Sequence, residues 1–377
     1  MLFSDFDLLP QSLQALKRDK ILTPTPIQEL AIPLLLQEED VIGQAQTGSG
    51  KTLAFSLPLL EFVDPGRNCV QALVLTPTRE LANQICDVIS GLSKVDRIKV
   101  LPVYGGRSIT PQIEQLRKGA QVVVATPGRL VDLIQRRAID LKNVVYAVVD
   151  EADEMLDQGF ARDVEKILDR LNNDHVTAMF SATMPDWVDQ ASRKYLHKPK
   201  IVKVIPKKHE EPDIEHVALR FSSERRMDVL RTLLKDTETG TSIVFGRTKR
   251  GVRKLAKQLT DLGYSAAALQ GNMSQNARDK VMSSFRKQEI SVLVATNVAA
   301  RGLDVDHVDL VVNFELPENS ELLTHRIGRT GRMGRSGNAY TLVADTDQAK
   351  WKQLSRTLEK PIPLKNWNSP PARRRSR

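Results

Sequence analysis

Cysteine is nearly missing from this chain: Cys69 and Cys86 are the two it has, and no C-x-x-C spacing occurs. That excludes a disulfide framework or a cysteine zinc site. It fits a reducing compartment, with both thiols as small apolar filler. Aromatic residues are scarce too, at 5%. Stacking platforms, the usual device for reading bases on a single strand, are therefore not expected to dominate any nucleic-acid contact. No apolar run approaches the ~20 residues a membrane span needs. Residues 1–11 (MLFSDFDLLPQ) carry acids where a secretory leader carries a basic region. The expectation is a soluble cytoplasmic chain with no membrane association, a monomer by default.

What is present is ordinary globular chemistry, with 41% hydrophobic and 27% charged residues in 377. That length accommodates two domains of about 100–200 residues each. The net charge is +9. Such an excess favours a polyanionic partner, nucleic acid or an anionic surface, although a solvated face accounts for charge equally well.

Short β-branched runs alternate with longer helical patterns. The first half has strand candidates at 72–76, 99–104, 121–126, 144–150 and 177–181, with helices such as 79–90 and 110–118 between them. The second half repeats the pattern at 216–221, 241–245, 265–269, 290–296, 310–314 and 339–344. This predicts an α/β fold of two tandem domains, each a mainly parallel sheet with helices on both faces. The expected division is residues 1–204, a charged two-proline linker at 205–212, residues 213–364, and a basic disordered tail at 365–377. In parallel sheets ligands sit beyond the carboxyl ends of the strands. Polar, glycine-bearing clusters do follow almost every strand candidate here.

Residues 44–52 (QAQTGSGKT) follow the apolar Val41–Ile42 pair and precede an apolar helix pattern. Ala45, Gln46, Thr47, Gly48, Ser49 and Gly50 are mostly small, so backbone N–H groups can wrap a phosphate at a helix N-terminus. Lys51 is expected on the β- and γ-phosphates and the Thr52 hydroxyl on Mg²⁺. Asp150-Glu-Ala-Asp153 directly follows an apolar run. An acid at the end of a buried strand is costly unless it meets a cation. Asp150 is the expected Mg²⁺ ligand and Glu151 the base that activates water. Acids at a helix start favoured by its dipole explain Asp153 and Glu154, but not acids abutting a hydrophobic strand.

With these residues in place the chain resembles the DEAD-box RNA helicases, whose name-giving sequence is Asp150-Glu-Ala-Asp153. The likeness runs from about Phe3 to about Ala344, with the expected motifs in order. It implies two RecA-like domains, ATP and Mg²⁺ as cofactors, and RNA as partner. Thr25-Pro-Ile-Gln28, with Thr23 and the upstream Phe3, resembles the adenine-reading motif, in which Gln28 would select ATP. A solvated helix start is the alternative for Gln28. Lys20 and Ile21 stand where the family usually has glycine and an aromatic, so adenine would pack on aliphatic carbon. Ser181-Ala-Thr183 resembles the motif that couples hydrolysis to domain closure, its hydroxyls bonding the Asp150–Asp153 carboxylates or else capping a helix.

The second half has no phosphate loop of its own. By resemblance Arg329 and Arg332, in residues 325–332 (HRIGRTGR), are arginine fingers. His325 and Arg326 brace the interface, Asp304 contacts the ribose or the finger network, and Leu323 replaces a common tyrosine. The remaining clusters are expected to track RNA phosphates and 2′-hydroxyls. In the first half these are Pro77, Thr78, Arg79, Glu80, Gly105, Gly106, Thr126, Gly128 and Arg129. In the second they are Gly246, Arg247, Thr248, Gln270, Gly271, Gln275, Arg278, Thr296 and Asn297. Arg129 and Arg278 could instead pair with acids, Arg278 bracing Phe245. Binding should be largely sequence-independent and fall with salt. The resemblance implies local, non-processive strand separation by an ATP-driven clamp. A non-enzymatic clamp and a DNA translocase are the competing readings.

Overall fold

The computed structural model describes residues 1–46, 48–204, 214–236, 240–297, 307–331, 336–358 and 361–367. Thr47, Asp304, Arg332, the 205–212 linker and the tail beyond 367 lie outside the described residues. The chain divides into two compact units, Met1–Pro206 and Lys207–Arg377.

The strands of unit 1 are β1 (Val41–Gln44), β2 (Ala72–Leu75), β3 (Val100–Val103), β4 (Val122–Ala125), β5 (Tyr146–Val149), β6 (Val176–Ser181) and β7 (Lys200–Lys203). They lie in the order β3-β4-β2-β5-β6-β1-β7, and every pairing is parallel. Alternation along β2 shows how two helical layers are held. Ala72 and Val74 enter the core on one face, with Phe55, Ile85 and Phe180, whereas Leu73 and Leu75 enter the other, with Leu130, Met155 and Val164. Burial on both faces explains why these strands read as unbroken apolar runs.

Unit 2 has β8 (Ile214–Phe221), β9 (Thr241–Gly246), β10 (Ala266–Leu269), β11 (Val292–Thr296), β12 (Val308–Asn313), β13 (Gly337–Ala344) and β14 (Leu364–Asn366). Their order is β10-β11-β9-β12-β13-β8-β14, again all parallel. Position by position this is the order of unit 1. These are two RecA-like sheets, as the sequence led us to expect.

Two strands were not anticipated. β7 is an edge strand in which Val202 alone is buried, so it has no apolar run to detect. β14 is exposed throughout and takes in Lys365 and Asn366, residues assigned to the tail. Trp367 is also held: its N–H donates to the Arg220 carbonyl at 2.8 Å and Arg225 stacks over its ring at 4.7 Å. Among the described residues no helix is long and apolar enough to cross a membrane, and both cysteines are free.

Candidate nucleotide and RNA site

Because all strands of a unit are parallel, the turns after them share one sheet edge, and strand order sets which turns are neighbours. In unit 1, β5, β6 and β1 are adjacent. The turns bearing Asp150, Ser181 and Ala45 therefore meet although they are far apart in sequence. The Ala45 N–H donates to the Ser181 carbonyl at 3.1 Å, and Gln44 Nε2 donates to the Ala182 carbonyl at 3.3 Å.

The turn after β1 runs through Ala45, Gln46, Gly48, Ser49 and Gly50 into the helix Lys51–Glu61. Lys51 is buried, and its Nζ donates to the Ala45 carbonyl at 2.9 Å. That bond folds the lysine back across the turn and leaves two of its three N–H donors for a phosphate. Thr52 follows it in the first helical turn, half-buried. The Ser49 hydroxyl donates to the Gln46 carbonyl at 2.8 Å.

The helix Pro26–Leu36 clamps this turn from outside. Proline at its first position and a Thr25/Gln28 capping box fix its start. The Thr25 hydroxyl donates to the Ser49 carbonyl at 2.8 Å and Gln28 Nε2 to the Gly50 carbonyl at 2.9 Å, while Gln28 Oε1 accepts from the Thr25 N–H at 2.9 Å. Gly50 has φ +92°, and a Cβ there would lie 2.5 Å from Gln28 Nε2, so glycine is required. Gln28 is thus buried and bonded, which disposes of a solvated helix start. One Nε2 hydrogen and one Oε1 lone pair remain for a base. Thr23 is exposed, with no hydrogen bond among the described residues, and Thr25 holds the loop. Phe3 and Ile21 pack into the core of unit 1. Lys20 has φ +58°, a left-handed backbone, which is the physical reason for glycine at this place in the family.

The carboxyl of Asp150 is fully enclosed at the end of β5, and it is pushed up to about 7. Burial is the main cause, the Lys51 ammonium opposes it, and Glu151 adds to it. A buried acid in this condition is short of positive charge. The Glu151 N–H donates to Asp150 Oδ1 at 3.0 Å. Glu151 itself sits at φ 54°, a left-handed conformation that costs a non-glycine residue about 1 kcal/mol. Asp153 faces the turn after β6. Its Oδ2 accepts from the Thr183 N–H at 2.8 Å and the Thr183 hydroxyl at 2.9 Å, and its own N–H donates to Ser181 Oγ at 3.1 Å. Of the two readings for Ser181 and Thr183, the structure selects contact with the acidic motif, through Asp153 rather than Asp150.

The turns after β3, β4 and β2 occupy the other half of the same edge. Thr78 caps the helix Arg79–Leu92, its Oγ1 accepting from the Leu81 N–H at 3.2 Å. Pro77 precedes it, buried, and Arg79 lies under Gly106, whose φ is +82°. Gly105 is half-buried beside them. Thr126 and Gly128 flank the start of the helix Pro127–Gln135. Arg129 Nη2 donates to the Arg107 carbonyl at 2.9 Å, while its Nη1 is buried without a partner.

In unit 2 the matching turns follow β10, β11 and β9. Thr248 caps the helix Lys249–Asp261 through the Gly251 N–H at 3.0 Å, and the Arg247 N–H donates to Glu315 Oε2 at 2.6 Å. Gln270 accepts from the Asn272 N–H at 2.7 Å beside the exposed Gly271. Thr296 is buried at the end of β11. Gln275 Nε2 donates to Asp279 at 2.8 Å, and Arg278 is buried in the same helix, Gln275–Arg286.

The arginine motif lies on and after the helix Ser320–Ile327. Arg326 is buried and bonded on every side. It donates to Asn297 Oδ1 at 2.6 Å, Asn313 Oδ1 at 3.0 Å and the Glu315 carbonyl at 2.8 Å, and it stacks over Phe245 at 5.0 Å. Burial lowers its guanidinium to about 10. Asn313 continues the chain of bonds to Thr341 at 3.1 Å, and Thr341 to His216 at 2.9 Å. Arg326 therefore organises unit 2 internally, and it braces Phe245. Arg329 Nε donates to the His325 carbonyl at 3.2 Å and is half-buried. Sequence reasoning missed Asn313 and Glu315 here, and gave Thr25, named with Gln28, no contact of its own.

Residues 25–191 match the DEAD/DEAH box helicase family and residues 225–334 the helicase conserved C-terminal domain. The chain is 43% identical over 358 residues to the DEAD-box ATP-dependent RNA helicase CshA of Geobacillus kaustophilus, covering 95% of this chain and 77% of that protein. The Bacillus subtilis CshA is likewise 43% identical, with 95% and 72% covered. Yeast Dbp5 bound to RNA and ADP BeF3 (S. cerevisiae) superposes with a TM-score of 0.85 at 32% identity, over 97% of this chain and 95% of that one. The chain belongs to the DEAD-box family of ATP-dependent RNA helicases, enzymes that hydrolyse ATP.

Proposed function

We propose that ATP is held by the turns after β5, β6 and β1 of unit 1, and that RNA phosphates are held by the turns after β3-β4-β2 and their counterparts β10-β11-β9 in unit 2. One observation carries this reading. Strand order sorts the functional turns of unit 1 into an acidic, phosphate-loop half and an arginine–threonine–glycine half, and unit 2 repeats only the second.

Gln28 orients the adenine edge with its remaining amide valences, while the Gly48–Lys51 backbone and Lys51 hold the phosphates. Asp150 and Thr52 fit Mg²⁺. The Lys51 ammonium only partly offsets the buried carboxyl, and no cluster of three or more metal-ligating residues exists among the described residues. That suits a cation which keeps several waters and shares the substrate's phosphates. When bound, Mg²⁺ neutralises charge on those phosphates. Glu151 takes a proton from the attacking water. Arg329, with Arg332, supplies positive charge to the departing phosphoryl group from unit 2. Thr183 and Ser181, through Asp153, tie the acid turn to its neighbour, so movement of one is felt by the other.

On the RNA side, threonine caps, glycine approaches and arginines bind backbone without reading bases. Local, non-processive remodelling of duplexes by a cytoplasmic monomer follows. The test is ATP hydrolysis by the full chain with no nucleic acid, with single-stranded RNA, and with DNA of the same sequence. Stimulation by RNA well above that by DNA is expected. Equal stimulation by DNA, or none by RNA, overturns the reading.

A further inference from the structure

The equivalence of the two sheets puts two helices in correspondence, one in each unit. Arg79–Leu92 follows β2, and Lys249–Asp261 follows β9, the strand in the same sheet position. Both are capped by threonine, Thr78 and Thr248, through the N–H three residues on. Counting from the caps, the buried stripes coincide: Ala82, Ile85, Cys86 and Ile89 in the first, Val252, Leu255, Ala256 and Leu259 in the second. The outward stripes do not. Positions holding Glu80, Asn83, Gln84 and Asp87 in unit 1 hold Arg250, Arg253, Lys254 and Lys257 in unit 2.

These four cations recur at i, i+3, i+4 and i+7, so they form one row. The row is offset by two residues from the buried stripe, hence on the opposite face of the helix. All four side chains are exposed. None pairs with an acid among the described residues, and the helix has no acid before Asp261. A merely solvated helix surface usually mixes signs, as the unit 1 counterpart does with Arg79, Glu80 and Asp87. The helix is roughly 20 Å long, and its first turn is the Arg247–Thr248 turn already assigned to RNA phosphates. Lys249, between that turn and the row, donates to Asn272 beside Gly271 at 2.7 Å.

We propose that Arg250, Arg253, Lys254 and Lys257 bind the phosphate backbone of a duplex flanking the strand held at the sheet edge. The row is continuous with that edge, which gives the place; its uniform charge gives the ligand chemistry. No aromatic residue stands on the row, so bases of a single strand have nothing to stack on. A duplex offers phosphates and 2′-hydroxyls alone, and needs no more. The flank would be held on unit 2 while the strand is gripped at the edge, so the end of a duplex is delivered to the clamp. This rests on the RNA reading of the edge.

The experiment compares the full chain with R250Q/R253Q/K254Q/K257Q, glutamine being a comparable helix former. A control variant, R286Q/K287Q/K352Q/K365Q, removes equal charge from other exposed positions of unit 2. Three RNAs are titrated over a salt series: a short single strand, the same strand with a single-stranded extension, and the same strand with a hairpin extension. In the row variant, affinity for the hairpin-bearing RNA should fall about tenfold at low salt, and its log–log salt slope by about 2–3. Binding of the short strand, and hydrolysis at saturating RNA, should match the parent, which also shows that the variant folds. An unchanged affinity for the hairpin RNA, an equal loss in the control variant, or an equal loss with the single-stranded extension overturns the proposal. Failure of the short strand to bind or stimulate the parent chain would instead reject the edge itself.

Discussion

In unit 1, β1 ends in a turn of small residues that closes on Lys51; in unit 2, the strand in the same sheet position, β8, ends at Phe221 and leads through Ser222 and a short 3-10 turn, Ser223–Arg225, into a helix starting at Arg226. The β5 turn carries the buried Asp150, whereas its counterpart after β12 carries Phe314 and Glu315. Glu315 spends its carboxylate on the Arg247 N–H and its carbonyl on Arg326. The two sheets share strand order, parallel pairing and layered cores, so architecture does not decide which of them handles phosphate chemistry. The turns at one half of the edge decide it. At the other half, both units keep a threonine cap, and the shared chemistry survives there. A fold of this kind supplies an edge; what is placed on it supplies the function.

That contrast can be broken or sharpened by substitution. Glu151→Gln keeps the Asp150 carboxylate and removes the base. RNA-stimulated turnover is expected to drop by about 10²–10⁴ with ATP and RNA binding retained; parent-like hydrolysis would show that the base lies elsewhere.

The buried acid of unit 1 also has a pH signature. Asp150 must lose its proton to hold Mg²⁺, and its carboxyl is pushed up to about 7. Affinity for Mg²⁺–ATP should therefore fall as pH drops below about 7, approaching tenfold per unit. Without ligand the sign reverses. A raised carboxyl stabilises the fold fully below its unfolded value of about 3.9, and that stability is lost as pH rises towards 7. Calorimetric titrations and unfolding curves between about pH 5 and 8 should show both trends, and Asp150→Asn should flatten them.

Unit 2 answers through stability instead. Arg326→Ala removes the donors to Asn297 Oδ1, the buried Asn313 Oδ1 and the Glu315 carbonyl. A loss of about 3 kcal/mol is expected in urea unfolding, against almost none if the arginine is a surface contact. The smallest effect belongs to Lys20. With φ +58°, Lys20→Gly should stabilise unit 1 by up to about 1 kcal/mol; destabilisation would mean that the lysine side chain contributes more than its backbone costs.

Much of the fold was legible because parallel strands buried on both faces leave apolar runs. The exceptions, β7 and β14, are edge strands, with one buried residue between them. The nucleotide turns were legible because phosphate binding demands small residues at fixed spacing. The contact of Ser181 and Thr183 with the acidic motif was among the readings, but its partner, Asp153, was not legible, since it follows from the adjacency of β5 and β6, which chain order hides. Thr25 was named with Gln28 but given no contact: its partner, the Ser49 carbonyl, is a backbone atom and leaves no mark in sequence. Arg326 was expected to brace an interface, and its burial among Asn297, Asn313 and Phe245 gives it an internal role in unit 2.

We propose that Glu151 and Arg329 serve the same phosphoryl transfer. A double-mutant cycle in RNA-stimulated ATP hydrolysis tests it most directly, using Glu151→Gln, Arg329→Ala and the double variant in the full chain. Arg329→Ala alone should cost about 10³ or more in turnover with ATP still bound. If the two residues serve one transition state, the double variant will be scarcely slower than the slower single variant. Turnover that survives Arg329→Ala, or losses that multiply in the double variant, would contradict the account.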